Sequence, residues 1–254
     1  MQRTYIVRLL FMKKKLMHFI LKITFYILIV TSVVTCKAQP KTTDAVYTYK
    51  VGDRNGIGKW FLGREIAHVM GYQAMDWLDR DSREAEENTS RLIKNMDLES
   101  EDIVADIGAG SGYHVLKMAP KVKQVYAVDI QDEMLNAIQV KLDNEHLTNV
   151  QLIHSIEEST KLPVNSVDKV LMVDVYHEFK FPLEMLASIK KALKPGGEVY
   201  LIEYRGEDPK VPIKEVHKMT EQQAKKEMRL AGFKLKKNID NLPWQHCMIF
   251  GIDI

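Results

Sequence analysis

Cysteine is scarce in this sequence: Cys36 and Cys247 are its only two cysteines in 254 residues. A disulfide-rich scaffold is therefore excluded, and folding must rely on a hydrophobic core, for which the 46% apolar content suffices. Cys247 lies in an apolar run and is expected to be a small core residue. No two of the eight histidines lie four residues apart, as the histidine pair of a helical zinc site with its carboxylate would, so the sequence predicts no metal site.

Acidic residues are absent from the first 35 positions, which hold six basic residues and an almost wholly apolar run over residues 23–35. A basic start, a short apolar stretch and then small residues are typical of a secretory signal. The run is short for a membrane-spanning helix, which needs about 20 apolar residues. Residues 1–35 are therefore predicted to be a signal peptide, with an uncleaved N-terminal anchor as the alternative.

The end of this leader, Val33-Val-Thr-Cys36, resembles a bacterial lipoprotein cleavage site in which Cys36 carries the lipid. Cleavage after Ala38 is the competing possibility and gives an exported protein without lipid. The resemblance implies a location in the cell envelope, with membrane attachment through the lipid on Cys36 or through the N-terminal anchor. A lipidated Cys36 cannot pair with Cys247, so no disulfide is expected.

The charge of the chain does not indicate a nucleic-acid partner. The formal net charge is +2, but removing the six basic residues of the leader from 36 leaves 30 basic against 34 acidic residues, a net charge of −4. The basic residues of the leader are therefore largely responsible for the basic isoelectric point. The rest of the chain lacks the excess of basic residues that is typical of a nucleic-acid-binding protein.

Residues 36–57 are predicted to be a tether and residues 58–98 a helical lid segment, with helices at 63–70, 74–78 and 85–96. Strands and helices then alternate over residues 99–254, which predicts an α/β domain with a parallel sheet covered on both faces. The last two strands have no helix between them and should pair as a hairpin. The predicted strands are 103–106, 125–128, 150–154, 170–174, 199–203, 233–237 and 247–252, and the predicted helices are 113–119, 131–142, 182–192 and 221–230.

A glycine-rich loop, Asp106-Ile-Gly108-Ala-Gly110-Ser-Gly112, follows the first strand of this domain. Open α/β sheets bind ligands at the carboxyl ends of their strands, and glycine lets the backbone approach a ligand closely. The G-x-G-x-G spacing differs from the G-x-G-x-x-G of dinucleotide sites. Asp129 ends the second strand, where it can hold both ribose hydroxyls of a nucleoside, although a helix N-cap also explains it.

With Leu162-Pro163 and the turn Lys194-Pro-Gly-Gly197, these motifs resemble the class I S-adenosylmethionine-dependent methyltransferases over roughly residues 82–254. The resemblance implies a Rossmann-like sheet of seven strands with an antiparallel last strand, S-adenosylmethionine as cofactor and a small-molecule methyl acceptor. The small-molecule branch, which includes quinone-ring methyltransferases, is the most similar. The glycine spacing and the Lys-Pro-Gly-Gly turn disfavour a nicotinamide dehydrogenase.

The resemblance also implies which residues contact the cofactor. Asp106 and the glycine loop would line its methionine part, Asp129 would hold the ribose, and Ile130 would pack on the adenine. The loop after the third strand would offer Ile156 and Glu157 to the adenine. The implied cofactor-binding set is Asp106, Gly108, Ala109, Gly110, Gly112, Asp129, Ile130, Ile156 and Glu157.

Residues 174–178 end the fourth strand, which in this family faces the methyl group that is transferred. His177 is the candidate general base because it titrates near neutral pH, with a structural helix-start residue as the alternative. Asp174 is expected to contact the cofactor or to organise the loop. Tyr176, Tyr204 and Arg205 are candidate substrate contacts, although a surface ion pair explains Arg205 equally well.

Two further alternatives stay open at the sequence level. His217 precedes a predicted helix, and a functional and a structural role suit it equally. S-adenosylmethionine is made in the cytoplasm, whereas the leader predicts export. An exported protein that binds the cofactor without turnover is therefore the alternative function.

Overall fold

The computed structural model describes residues 46–253. The predicted leader, the lipid site at Cys36 and most of the predicted tether lie outside the described residues. Within residues 46–253, no helix has the length and apolar character needed to cross a membrane.

A small antiparallel sheet opens the described part of the chain, with β1 (Tyr47–Tyr49), β2 (Gly56–Phe61) and β3 (Arg64–Ala67) in that order. The helix predicted at 63–70 is therefore wrong, and strands also occupy part of the predicted tether. Leu62 and Gly63 have φ values of 49° and 98°, as the two central residues of a type I′ hairpin require. This turn directs the chain back along β2 instead of into a helix.

The helix predicted at 85–96 is broken into two. Asn88 adopts the left-handed conformation with φ 52°, and its side chain accepts a hydrogen bond from the backbone N–H of Arg91. One helix thus ends and a second begins at Asn88. The helices are α1 (Met75–Leu78), α2 (Arg83–Glu87), α3 (Thr89–Asn95), α4 (Tyr113–Met118), α5 (Asp132–Asn144), α6 (Pro182–Ala192) and α7 (Glu221–Leu230), with single 3₁₀ turns at Tyr72–Ala74, Ala119–Lys121, Tyr176–Glu178 and Glu215–His217.

The main sheet has seven strands in the order β6-β5-β4-β7-β8-β10-β9. All neighbours pair in parallel except β10, which runs antiparallel to both β8 and β9. This confirms the predicted class I methyltransferase-like fold and its C-terminal hairpin. The strands are β4 (Ile103–Ile107), β5 (Gln124–Asp129), β6 (Val150–His154), β7 (Val167–Val173), β8 (Leu193–Tyr204), β9 (Phe233–Asn238) and β10 (Gln245–Ile252).

Helices cover both faces of the sheet because alternate strand residues are apolar on each face. Ala105 and Ile107 pack in one buried cluster, and Val104 packs in the other. Helix α5 buries Ile138 and Leu142 against the second cluster, which follows from their four-residue spacing. The two clusters hold the sheet rigidly and therefore fix the loops at its carboxyl edge.

The strand order reverses between β4 and β7, so their following loops diverge and leave a crevice at the carboxyl edge of the sheet. The glycine loop 108–112 follows β4, and the segment 174–178 follows β7. Ligands bind at such topological switch points in open α/β sheets. The fold therefore brings together the two segments that the sequence singled out.

Candidate functional site

A cavity of about 1040 Å³ lies at the switch point. Its wall is formed by the loops after β4, β5, β6, β7 and β8, together with β2, β3 and α1 from the N-terminal segment. Ligand cavities typically measure about 300–1,000 Å³. The cavity is thus large enough for a nucleoside-sized ligand with a second small molecule.

The glycine loop forms a wall with no room for side chains. Gly108 has φ 72°, and a Cβ there would lie 2.4 Å from Cγ2 of Val175. Gly110 has φ 54°, and a Cβ there would lie 2.6 Å from Cδ1 of Leu78. Both positions therefore need glycine for conformation and for space.

Two buried carboxyl groups lie near this loop with an oxygen that has no hydrogen-bond partner. Within residues 46–253, neither Oδ2 of Asp106 nor Oδ1 of Asp174 has a hydrogen-bond partner. Burial raises the pKa of Asp106 to about 7, although nearby Arg83 opposes this shift. Burial, together with Glu87 and Glu203, raises the pKa of Asp174 well above its usual range. Buried polar atoms are normally paired, so this end of the site suits a ligand that carries positive charge or N–H donors.

Asp129 is held by backbone N–H groups at the end of β5. Its Oδ2 accepts a hydrogen bond from the N–H of Gly110 at 2.9 Å, and its Oδ1 accepts one from the N–H of Gln131 at 2.9 Å. Burial raises the pKa of Asp129, while these N–H groups counteract the shift. Each carboxylate oxygen can accept a further hydrogen bond, so Asp129 can both order the loop and bind two hydroxyls.

On another part of the cavity wall, His177, Glu178 and His217 form a polar cluster backed by Glu203. Nδ1 of His177 donates to Oε2 of Glu203 at 2.6 Å, and Nε2 of His177 lies 3.0 Å from Nδ1 of His217. Oε1 of Glu178 lies 3.8 Å from the same two imidazole nitrogens. Four polar groups, from the turn Tyr176–Glu178, from β8 and from the turn Glu215–His217, thus lie together at the cavity.

The titration properties of this cluster follow from burial and from mutual charge. Burial alone lowers the pKa of His177, but the Glu203 carboxylate outweighs it and raises the pKa. Burial raises the pKa of Glu178 to about 7, against the effect of His177. Burial and the neighbouring His177 lower the pKa of His217 to about 4. The imidazole of His217 is therefore neutral at neutral pH and keeps a free nitrogen lone pair.

Comparison with known proteins matches part of this chain to methyltransferase domains. Residues 105–201 match the family described as "Methyltransferase domain". The uncharacterized methyltransferase YcgJ of Bacillus subtilis is 28% identical over 124 residues, which are 48% of this chain and 49% of that protein. The tRNA U34 carboxymethyltransferase of Glaesserella parasuis is 30% identical over 115 residues, 44% of this chain and 35% of that protein. The chain therefore spans half or less of the length of these curated relatives.

Solved structures agree on the fold. A SAM-dependent methyltransferase from Aquifex aeolicus superimposes with a TM-score of 0.68 at 24% identity, over 72% of this chain and 100% of that one. The YcgJ structure gives a TM-score of 0.53 at 18% identity, over 64% of this chain and 96% of that one. Residues 105–201 thus match a methyltransferase domain, and the fold is the one these methyltransferases share.

The site has features that suit S-adenosylmethionine, the cofactor that the sequence resemblance implies. The unpaired oxygen of Asp174, which lines the cavity, suits the positive charges of the cofactor's ammonium and sulfonium groups. Gly108 and Gly110 leave space where any Cβ would intrude. Asp129 offers two oxygens to the ribose hydroxyls.

The structure brings most of the predicted residues to the cavity. Ile130 and Ile156 are 38% and 42% exposed and line it, so they are available to an adenine ring. Glu157 also lines it and forms an ion pair with Lys180 at 3.0 Å. The predicted residues on the wall are Gly108, Gly110, Asp129, Ile130, Ile156, Glu157, Asp174, His177 and Tyr204.

Five predicted residues do not line the cavity. Asp106 and Ala109 are buried beneath the loop, at 2% and 8% exposure. Gly112 begins α4 and lies against Ile138. Tyr176 is completely buried, and its hydroxyl donates to Glu227 at 2.8 Å. Arg205 pairs with Asp240 at 2.6 Å, in agreement with the ion-pair alternative.

Two residues of the cluster were missed or left undecided by the sequence. Glu178 was not selected, and His217 lies 40 residues after His177, so no local spacing reveals their proximity. A second missed group is the network in which Glu87 pairs with Arg83 at 2.8 Å and accepts from Tyr204 at 2.9 Å. It arises because α2 packs against the end of β8.

Proposed function

We propose that the protein transfers the methyl group of S-adenosylmethionine to a small-molecule acceptor. The observation that carries the proposal is that one cavity joins two different surfaces. One is a cradle of glycines and buried carboxyl groups that suits the cofactor. The other is the polar cluster of His177, Glu178 and His217, which suits the reacting end of an acceptor.

In this proposal the residues hold the cofactor in a defined orientation. Asp174 binds its charged methionine part, and Asp106 adds negative charge from beneath the glycine loop. Asp129 binds the ribose, and Ile130 and Ile156 enclose the adenine. When bound, S-adenosylmethionine supplies an electrophilic methyl group whose transfer mainly requires alignment and exclusion of water. The hairpin of β2 and β3, which lines the same cavity, helps to exclude water.

The acceptor's reacting atom is proposed to lie at the polar cluster. His177 is only 2% exposed, and both of its ring nitrogens are already engaged, by Glu203 and by His217. We therefore propose that the polar cluster as a whole, rather than His177 alone, acts on the acceptor. His217 and Glu178 contact the acceptor, and Glu203 keeps His177 in position.

The wall of the cavity favours an aromatic acceptor. Tyr49, Trp77 and Phe181 line it, and aromatic side chains pack well on planar rings. A quinone-type ring is accordingly the acceptor class we propose. The net charge of −4 that remains after residues 1–35 supports a small molecule over the nucleic acid named for the tRNA-modifying relatives.

We also propose that the protein resides in the cell envelope, held there by a lipid on Cys36. The basic, apolar and small-residue layout of the leader supports this. Cell fractionation with mass spectrometry of the N-terminal peptide tests it. A diacylated peptide that begins at Cys36 is expected, whereas an unmodified peptide from residues 1–35 on a cytoplasmic protein would exclude it.

Isothermal titration with S-adenosylmethionine and S-adenosylhomocysteine tests the cofactor part of the proposal. Binding of both is expected, with a stoichiometry of one per chain. Absence of binding at millimolar ligand would overturn the proposal. Binding that is never followed by formation of S-adenosylhomocysteine, in the presence of small-molecule extracts, would favour a binding protein without turnover.

A further inference from the structure

The polar cluster contains an arrangement that simple hydrogen bonding does not explain. Nε2 of His177, Nδ1 of His217 and Oε1 of Glu178 lie within 4.8 Å of one another. The Glu178 oxygen lies 3.8 Å from each imidazole nitrogen, beyond hydrogen-bond length. Among the described residues, the hydrogen bonds to its carboxylate come from the N–H of Met70, at 3.2 Å to each oxygen.

A carboxylate in this position lacks a counter-charge at bonding distance. Glu178 is 9% exposed, and a buried carboxylate is costly unless it is paired or coordinates a metal. Neither imidazole reaches it at hydrogen-bond length, because Nε2 of His177 and Nδ1 of His217 both lie 3.8 Å away and form their short contact with each other. A cation bound between the three side chains would supply the missing counter-charge to Glu178.

The spacing of the three atoms matches a metal site. Zinc bonds to nitrogen and oxygen of about 2.0–2.2 Å, at tetrahedral angles, place neighbouring ligand atoms roughly 3.3–3.5 Å apart. The three separations here are 3.0, 3.8 and 3.8 Å. Shifts of a few tenths of an ångström therefore convert the cluster into three corners of a tetrahedron.

The surroundings of His177 are those of a metal-binding histidine. Such a histidine usually donates its second ring N–H to a carboxylate, which fixes the tautomer and the ring orientation. Nδ1 of His177 donates to the fully buried Glu203 at 2.6 Å. In the neutral imidazole with its proton on Nδ1, Nε2 carries the lone pair that a metal ion would take in place of the contact with His217. Glu203 thus acts as a positioning residue.

We propose that His177, Glu178 and His217 bind a divalent transition metal ion, with Zn²⁺ the best match, and leave one coordination position open to the cavity. Two histidines with one glutamate are a ligand set of catalytic zinc sites, in which the fourth position takes water or substrate. The three ligands line the cavity wall, so the open position faces the space that an acceptor would occupy.

The role of the ion rests on the proposed function. A bound divalent ion lowers the pKa of a hydroxyl or thiol that coordinates it, so the acceptor loses its proton to water. The new bond from the acceptor to the methyl carbon then forms as the methyl–sulfur bond breaks, and that electron pair returns to sulfur. The ion therefore selects acceptors that carry a coordinating hydroxyl or thiol.

Metal content of the full-length protein tests this site. The protein is stripped with a chelator, dialysed against Zn²⁺ and measured by elemental mass spectrometry, and Co²⁺ is added in parallel for its visible absorption spectrum. One metal ion per chain is expected. H217A and E178Q should lose it, and E203Q should weaken Zn²⁺ binding about 10–100-fold, as changes in outer-shell partners do.

The matched control is H154A. His154 is half exposed and pairs with Asp132 at 2.7 Å, and it does not belong to the cluster. This variant should retain one ion per chain. Failure of the wild type to bind Zn²⁺ or Co²⁺, or equal metal content in the wild type and H217A, would overturn the proposal.

Titration with S-adenosylmethionine separates this proposal from the proposed function. Wild type and H217A should bind the cofactor with equal affinity, which also shows that the variant is folded. Cofactor binding without any metal binding would refute the metal site alone. Metal binding without cofactor binding would support the metal site and refute the proposed function.

Discussion

At the scale of the residue, buried carboxyl groups with unpaired oxygens are the features that most need a ligand. Asp106 and Asp174 each keep one oxygen without a partner inside the folded domain. Such groups reduce the stability of the empty protein, since a buried polar atom has lost its contact with water. The binding of a positively charged cofactor would recover this energy, so the site is organised for binding rather than for stability.

The pKa of Asp106 leads to a prediction about pH. Its folded-state pKa is raised from 3.8 to about 7, so the folded protein holds this proton more tightly than the unfolded chain. The contribution of Asp106 to the free energy of unfolding therefore falls as pH rises from about 4 to about 7. Urea unfolding without cofactor measures this effect. Asp106→Asn should have a higher free energy of unfolding than the wild type at pH 8, and this difference should be smaller at pH 5.

The same variant should bind S-adenosylmethionine more weakly, because the neutral amide cannot balance the charge of the cofactor. We expect a loss of about 1–3 kcal/mol. The wild-type affinity should rise as pH passes through about 7, whereas the affinity of the variant should be flat. A variant that binds as tightly as the wild type at pH 8 would remove Asp106 from the cofactor site.

Asp129 gives a second prediction at this scale. Asp129→Ala should weaken cofactor binding by about 1–3 kcal/mol, since the ribose hydroxyls lose their acceptors. Isothermal titration measures the change. Asp132→Ala is the control, because Asp132 is an acidic residue three positions later whose side chain is 70% exposed. Equal effects of the two substitutions would contradict the ribose assignment.

At the scale of the element, the N-terminal hairpin is fixed to the methyltransferase domain by a buried ion pair. Arg64 of β3 forms two hydrogen bonds with Glu227 of α7, at 2.8 and 2.9 Å. Its Nη1 also donates to the carbonyl oxygen of His177 at 3.0 Å. The hairpin is thus connected directly to the loop that carries the polar cluster.

Removal of one partner of this pair should be costly. Arg64→Met leaves the fully buried Glu227 without its cation and should destabilise the protein by about 3–5 kcal/mol. The double variant Arg64→Met/Glu227→Gln should recover part of the loss. Urea unfolding of the two single variants and the double variant measures the coupling. Strictly additive effects would mean that the pair does not hold the hairpin in place.

The sequence predicted the elements of the main sheet well, because alternating apolar strands and a four-residue spacing such as Ile138 and Leu142 are local signals. It failed in the N-terminal segment. There the helix prediction ignored the Leu62-Gly63 turn, whose positive φ values produce a hairpin. The break at Asn88 was missed for the same reason, since its left-handed conformation depends on one residue rather than on periodicity.

The sequence also predicted only part of the candidate site. The glycine loop and Asp129 were found because each follows a strand at a fixed position. The polar cluster was not, because His177 and His217 belong to loops 40 residues apart and meet only in the folded sheet. The burial of Tyr176 against Glu227 likewise depends on tertiary packing, which the sequence of its own loop does not reveal.

At the scale of the whole molecule, the fold places a cofactor cradle and a reactive polar cluster in one cavity of about 1040 Å³. The glycine loop and Asp129 lie at the ends of strands β4 and β5. The polar cluster comes from the segment after β7, from β8 and from the segment before α7. The N-terminal hairpin completes the wall. The strand order thus brings segments far apart in sequence to the same edge of the sheet.

Transfer of an isotopically labelled methyl group tests this account most directly. The protein is incubated with methyl-labelled S-adenosylmethionine and small-molecule extracts, including quinol fractions, and products are followed by mass spectrometry. We predict that the wild type labels a low-mass acceptor and forms an equal amount of S-adenosylhomocysteine, whereas Asp129→Ala does so far more slowly at limiting cofactor. Cofactor binding with no labelled product in any extract would contradict the account.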